Sequence, residues 1–216
     1  MKNRIATTML FGAMLACSAA AHASTNLIVD GSFSAPNQNG GWSAVSNGNV
    51  PGWTNISGNN DGIEIDNSSL LGGSAYTGTT QSAELNGTTW DTISQIVTGL
   101  VVGEEYTLSW AYGQRPGSGF QQTNVSFGGA AITTDTSSGN ATNLTWTLNT
   151  FNVIATSTTE DLNFAAVATN GNSALGNEIT AVSLIDTGNS VPEPMTPALI
   201  GLGLVALAVV RRKAQQ

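Results

Sequence analysis

Between residues 24 and 189 this sequence has no histidine, no cysteine and no lysine, and its only arginine is Arg115. Those absences exclude Ser-His-Asp triads, thiol nucleophiles, Schiff-base lysines, disulfides and zinc sites built from His or Cys. The six Lys and Arg of the 216-residue chain are otherwise Lys2, Arg4, Arg211, Arg212 and Lys213, and the single His22 and Cys17 lie near the N-terminus. Of the 14 Asp and Glu, only Glu193 falls in the end segments. The central segment is therefore strongly acidic, which repels nucleic acid and anionic lipid and favours neutral glycans, cations or basic partners.

The basic residues mark the two ends. Lys2 and Arg4 precede an apolar stretch from Met9 to Ala16, and Ala21-His22-Ala23 follows as a small-x-small cleavage site. That is the layout of a secretory signal peptide over 1–23, with a signal helix and a new N-terminus at Ser24. A lipidated Cys17 is the alternative export signal. At the other end, the run from Ala198 to Val210 carries no charge and is followed by Arg211, Arg212 and Lys213. It predicts a short transmembrane helix at about 196–210, held with its C-terminus inside by the basic residues. A buried helix with a basic tail is the other reading.

Val191-Pro192-Glu193-Pro194, the apolar run and Arg211-Arg212 together resemble the PEP-CTERM sorting signal of Gram-negative bacteria, here over 190–216. The resemblance implies recognition by an exosortase-type membrane protease near Pro192 to Pro194. It further implies passage through an inner-membrane intermediate, then release to the extracellular matrix or anchorage at the cell surface. Exopolysaccharide-producing bacteria are the usual setting of such signals. Two prolines fix φ and withhold backbone donors, giving an extended segment outside the bilayer for a protease to hold.

The segment 24–189 has the size of one domain. It is rich in Gly, Thr, Ser and Asn and broken into short alternating runs. In "EYTLSWAYG", Tyr106, Leu108, Trp110 and Tyr112 fall on one face and Thr107, Ser109 and Ala111 on the other, a strand with its large face inward. Similar runs are "NLIVDGSF", "GIEID", "QSAEL", "TISQIVTGL", "TNVSFGG", "LTWTLNTFNVIA", "EDLNFAAVA" and "EITAVSLID", separated by Gly, Asn, Asp or Pro turns. About nine strands without amphipathic helices predict an all-β sandwich or barrel. "TTDTSSGNATN" reads as a loop.

In order, "NLIVDGSFSAP", "VPGWT", "GIEI", "AELNG", "ISQIVTGLVVGEEYTLSWAYGQRPG" and "AVSLID" resemble galactose-binding-like jelly-roll domains. Carbohydrate-binding modules and a plant cell-wall family long labelled a domain of unknown function share that layout. The resemblance implies a jelly-roll β-sandwich that binds polysaccharide in end loops or on a concave sheet face, often with a structural Ca²⁺. Members commonly have Glu after the first-strand Phe, where Ser34 follows Phe33 here. Calcium would then be assembled from Asp30, Glu178 and Asp186 with backbone carbonyls.

Arg115 lies in "AYGQRPGSGF", beside Gln114 at a Pro-Gly turn. Sugar sites pair planar hydrogen-bonding groups with aromatic faces, which Tyr112, Phe120 and Trp90 would supply. The competing role for Arg115 is a structural ion pair with Glu84 or another carboxylate. Trp90 in "NGTTWDT", with Asn86 and Asp91, offers a stacking platform with hydrogen bonds to hydroxyls. Trp110 and Trp146 read as core, and Trp53 as a packing residue. Glu64 and Glu84 lie in strands where they would face each other, the minimum for glycoside hydrolysis. Strand glutamates are common, however, and this fold normally binds sugars without cleaving them. A non-enzymatic glycan-binding surface protein is the expectation, and a structural matrix protein without a specific glycan is the alternative.

Overall fold

The computed structural model describes residues 25–188. The expected signal helix, the Ala21 to Ala23 cleavage site and the sorting segment with its apolar helix lie outside them. Among the described residues, no helix is long and apolar enough to cross a membrane.

The described chain forms two antiparallel sheets. One has the order β1 (Trp42–Val45), β3 (Ile63–Asn67), β4 (Gln81–Glu84), β11 (Asn177–Asp186), β6 (Glu105–Gln114), β9 (Thr145–Ile154). The other has the order β2 (Thr54–Asn55), β5 (Thr92–Thr98), β10 (Thr159–Val167), β7 (Gln121–Phe127), β8 (Ala130–Ser137). Successive strands change sheet at every step except β3 to β4 and β7 to β8. This is an all-β sandwich in which the chain keeps crossing between layers, as in a jelly roll.

Alternation drives the packing. Tyr106, Leu108, Trp110 and Tyr112 of β6 all turn inward and are buried. Trp110 meets Phe164 of the opposite sheet edge-on at 5.6 Å, and Phe164 meets Trp53, which packs on Phe33. Each such ring contributes about 1.5–3 kcal/mol by leaving water. The Trp53 indole donates to the carbonyl of Val29 at 3.1 Å, so its polar edge is satisfied inside the core.

Two expectations change. "NLIVDGSF" is a turn with one bridge, Asn26 to Ile185, because Asp30 and Phe33 take positive φ of 45° and 51°. The Asp30 carboxylate holds that turn by accepting from the backbone N–H and hydroxyl of Ser34, each at 2.8 Å. Gly31 lies so close to the carbonyl of Val182, at the bulge in β11, that a Cβ would clash. Secondly, the first part of "TTDTSSGNATN" is strand β8. Its inward positions are Asp135 and Ser137, so apolar alternation could not reveal it; the Trp110 indole donates to Asp135 at 2.7 Å and makes the polar strand compatible with the core.

Candidate functional site

Ile63, Ile65, Ala83, Leu85 and Ile179 face the core, so their neighbours Glu64, Asp66, Ser82, Glu84 and Glu178 face the outside of the six-stranded sheet. Register aligns them. Glu64 is directly opposite Glu84, Glu84 opposite Glu178, and Asp66 opposite Ser82. An outer face is ordinarily wet, but here Asp66, Glu84 and Glu178 are at most 1% exposed.

A flap covers them. After β3, Asn67 caps a short 3₁₀ turn, Ser68–Leu71, which ends at Gly72 in the left-handed region. The chain then lies across the sheet until Ser68 N–H bonds the carbonyl of Thr80 and closes the flap. Leu71 of the flap and Leu144 before β9 are buried. Trp146 donates its indole N–H to the carbonyl of Ser74 at 3.0 Å, and Tyr76 meets its ring edge-on at 6.3 Å.

Beneath the flap, charge is unbalanced. Arg115, at the end of β6, donates to Glu84 and lies 3.7 Å from Asp66 and 4.0 Å from Glu64. The other oxygen of Glu84 accepts the N–H of Gly176. Burial, reinforced by the charge of Asp66, pushes Glu64 up to about 7. Burial also raises Asp66, and it holds Glu84 and Glu178 well above the usual carboxylate range. Carboxylate oxygens of Glu64, Asp66 and Glu84 lie within 4.8 Å of one another, an all-oxygen donor set suited to a hard cation.

Above this floor the surface is open. A cleft of about 790 Å³ runs between flap and β9, with Tyr76, Trp146, Ser69, Thr77, Asn143 and Thr145 among its walls. It shares Gly72 with a second cleft of about 340 Å³ bounded by Leu70, Leu71, Arg115, Pro116, Thr142 and Leu175. Together the two adjoining clefts form a groove that offers an aromatic edge, hydroxyls and an amide on one side of Gly72 and one guanidinium on the other.

The expected site residues divide. Arg115 lines the groove and also makes the ion pair with Glu84, so both of its foreseen roles coincide. Gln114 stands beside it, half-buried. Trp90 is half-buried in the β4–β5 loop and lines neither of these two clefts. Asn86 and Tyr112 are buried: Asn86 accepts from the backbone and side chain of Asn177, to which the Tyr112 hydroxyl donates. Asp91 is buried and accepts from Asn59. Those three side chains brace loops from within. Trp146 corrects the sequence reading in the other direction, since it lies on the outer face as a cleft wall.

Asp30, Glu178 and Asp186 do not come together. Both oxygens of Asp30 are taken by the turn through Ser34 and Ala35. Glu178 and Asp186 stand eight residues apart on β11, which at 3.3 Å per residue is roughly 25 Å. The three residues do not fit a shared calcium.

The signal for the actual cluster was present in the sequence. Glu64 and Asp66 share a face by period two, and Glu84 was placed opposite. The flap that buries them, and with it Tyr76 as a cleft wall, followed no periodic pattern.

No curated protein matches the chain. Among solved structures, it is similar to a family 35 carbohydrate binding module from Clostridium thermocellum, at 16% identity and a TM-score of 0.35, over 52% of this chain and 80% of that one. It is also similar to TmCBM61 in complex with beta-1,4-galactotriose, at 14% identity and a TM-score of 0.41, over 76% and 95% of the two chains. A third is an arabinose-bound α-L-arabinofuranosidase, MgGH51, at 13% identity and a TM-score of 0.48, over 74% of this chain but 26% of the enzyme. A family model described as the PEP-CTERM protein-sorting motif matches residues 190–213. Val191-Pro192-Glu193-Pro194 and Arg211-Arg212 are thus parts of a PEP-CTERM sorting motif, and the chain is one sorted through the membrane to the cell surface.

Proposed function

We propose that this protein is delivered by its sorting motif to the cell surface or matrix, after processing near Pro192 to Pro194 by an exosortase-type protease, and there binds neutral polysaccharide. The observation that carries the glycan reading is the open groove edged by Tyr76 and Trp146 and reached by Arg115. Ring faces beside hydroxyl, amide and guanidinium groups are what sugar hydroxyls and C–H faces require. Gln114 adds a planar donor and acceptor next to Arg115, and Trp90 a half-exposed ring near the same end of the sandwich.

Binding rather than cleavage is the better reading. Glu64 and Glu84 do face each other, but both oxygens of Glu84 are engaged, by Arg115 and by Gly176, and the group is buried. Glu84 therefore offers neither a free nucleophile nor an accessible proton donor to work opposite Glu64. A weak single site would gain strength by display of many copies.

Affinity electrophoresis through gels containing a panel of polysaccharides, the cell's own exopolysaccharide included, tests this. Retardation by a neutral polymer supports it. Unchanged migration in every gel, with concentration-dependent self-association, favours a structural matrix protein instead.

A further inference from the structure

Glu178 is fully buried, yet neither of its oxygens has a partner in good hydrogen-bond geometry, although the Ser82 hydroxyl and the Asp66 carboxyl both face it. It sits opposite Glu84 on β11, with its carboxyl against that of Asp66. Asp66 has an unpartnered oxygen of its own, and so do the buried hydroxyls of Ser82, opposite Asp66, and of Ser68, at the start of the flap. Buried oxygens are almost always paired, and a buried carboxylate left unpaired is among the most costly groups a protein can hold. Five such atoms occur in β3, β4, β11 and the adjoining turn.

Arg115 does not answer this. One guanidinium faces four carboxyl groups and spends its shortest contact on Glu84, whose oxygens are thereby satisfied. Glu64, Asp66 and Glu178 remain without a full counter-charge. All five unsatisfied atoms of this cluster are oxygens, which selects a hard cation. The enclosed position disfavours Mg²⁺, which keeps several of its waters, and suits Ca²⁺, which accepts six to eight oxygens in irregular geometry.

We propose that Asp66, Glu178, Glu64 and the Ser82 hydroxyl form a binding site for one calcium ion beneath the flap. The ion ties β3, β4 and β11 together and fixes the flap that forms one wall of the groove. The site lies on the sheet face and shares only Glu178 with the set Asp30, Glu178 and Asp186.

The test uses the full chain, with its signal and sorting segments, purified in mild detergent and dialysed against chelator. Calcium is then added, and metal content and thermal melting are read. One calcium per chain is expected, with a melting temperature raised by about 5–10 °C at a hundredfold excess over Kd and a smaller rise with Mg²⁺. Glu178→Gln and Ser82→Ala proteins should keep the β circular-dichroism spectrum and lose most of that shift, whereas Asp186→Asn should keep it. Identical melting in calcium and chelator, or an undiminished calcium shift in both Glu178→Gln and Ser82→Ala, would overturn the proposal. The readout is independent of polysaccharide, so its failure leaves the glycan reading intact.

Discussion

Gly113 and Trp146 are direct partners on β6 and β9, and the indole lies over the glycine. A Cβ at Gly113 would stand 2.7 Å from Trp146 Cζ3 and 2.8 Å from Glu178 Cβ. A missing methyl group thus lets one aromatic ring close the buried carboxyl floor and line the groove above it.

Gly113→Ala forces that ring aside. Overpacking a filled site costs typically 1–3 kcal/mol, and a loss of about 2 kcal/mol is expected here. Denaturant unfolding measures it. Ser109→Ala, on the same outer face of β6 but away from the ring, should change stability by less than about 0.5 kcal/mol.

Arg115→Ala removes the only cation beneath the flap among the described residues. Glu84, nearly inaccessible to water, is left without its ion partner. Breaking a buried pair from one side costs about 3–5 kcal/mol. Gln114→Ala next to it should cost under about 0.5 kcal/mol. Thermal melts of the two variants separate the structural role of Arg115 from its place in the groove. A polysaccharide assay on Arg115→Ala is meaningful only where the variant remains folded.

Asp135 predicts an unusual pH dependence. Burial against the core raises it to about 6 although the Trp110 indole N–H opposes the rise. A carboxyl raised in the folded state binds its proton more tightly there than in the unfolded chain. Stability from this group is therefore fully present at low pH and falls as pH rises from about 4 to about 6. Asp135→Asn keeps an acceptor for Trp110 and removes the ionisation. It should stabilise the protein by on the order of 2 kcal/mol at pH 7 and hardly at all at pH 3.5. Denaturant titrations at the two pH values check the sign.

Legibility in the sequence followed the physics of each element. The inward rings of β6 announced themselves because period-two alternation of large residues has one stable arrangement. β8 was hidden because its inward Asp135 and Ser137 are polar: Asp135 is matched by the Trp110 indole of the opposite sheet, a pairing that no local window contains, and Ser137 by the backbone N–H of Gly139. Asn86 and Tyr112 looked like ligand groups for the converse reason: hydrogen-bonding side chains look alike whether they meet a sugar or Asn177. Trp146 was placed inside on alternation that holds for its strand, yet on an edge strand the outer face is equally open to a large ring. The sorting motif was legible throughout because its signal is linear and needs no fold.

The groove itself is tested most directly by repeating the polysaccharide gels with Trp146→Ala and Trp90→Ala, each verified as folded by its circular-dichroism spectrum. Stacking of a ring on a ligand face is worth about 0.5–1.5 kcal/mol beyond area burial, so loss of Trp146 should weaken retardation by about two- to tenfold. The account predicts that loss for Trp146→Ala and a smaller effect for Trp90→Ala. Full retardation of Trp146→Ala by the polymer that retards the unaltered protein would contradict it and place the glycan elsewhere on the sandwich.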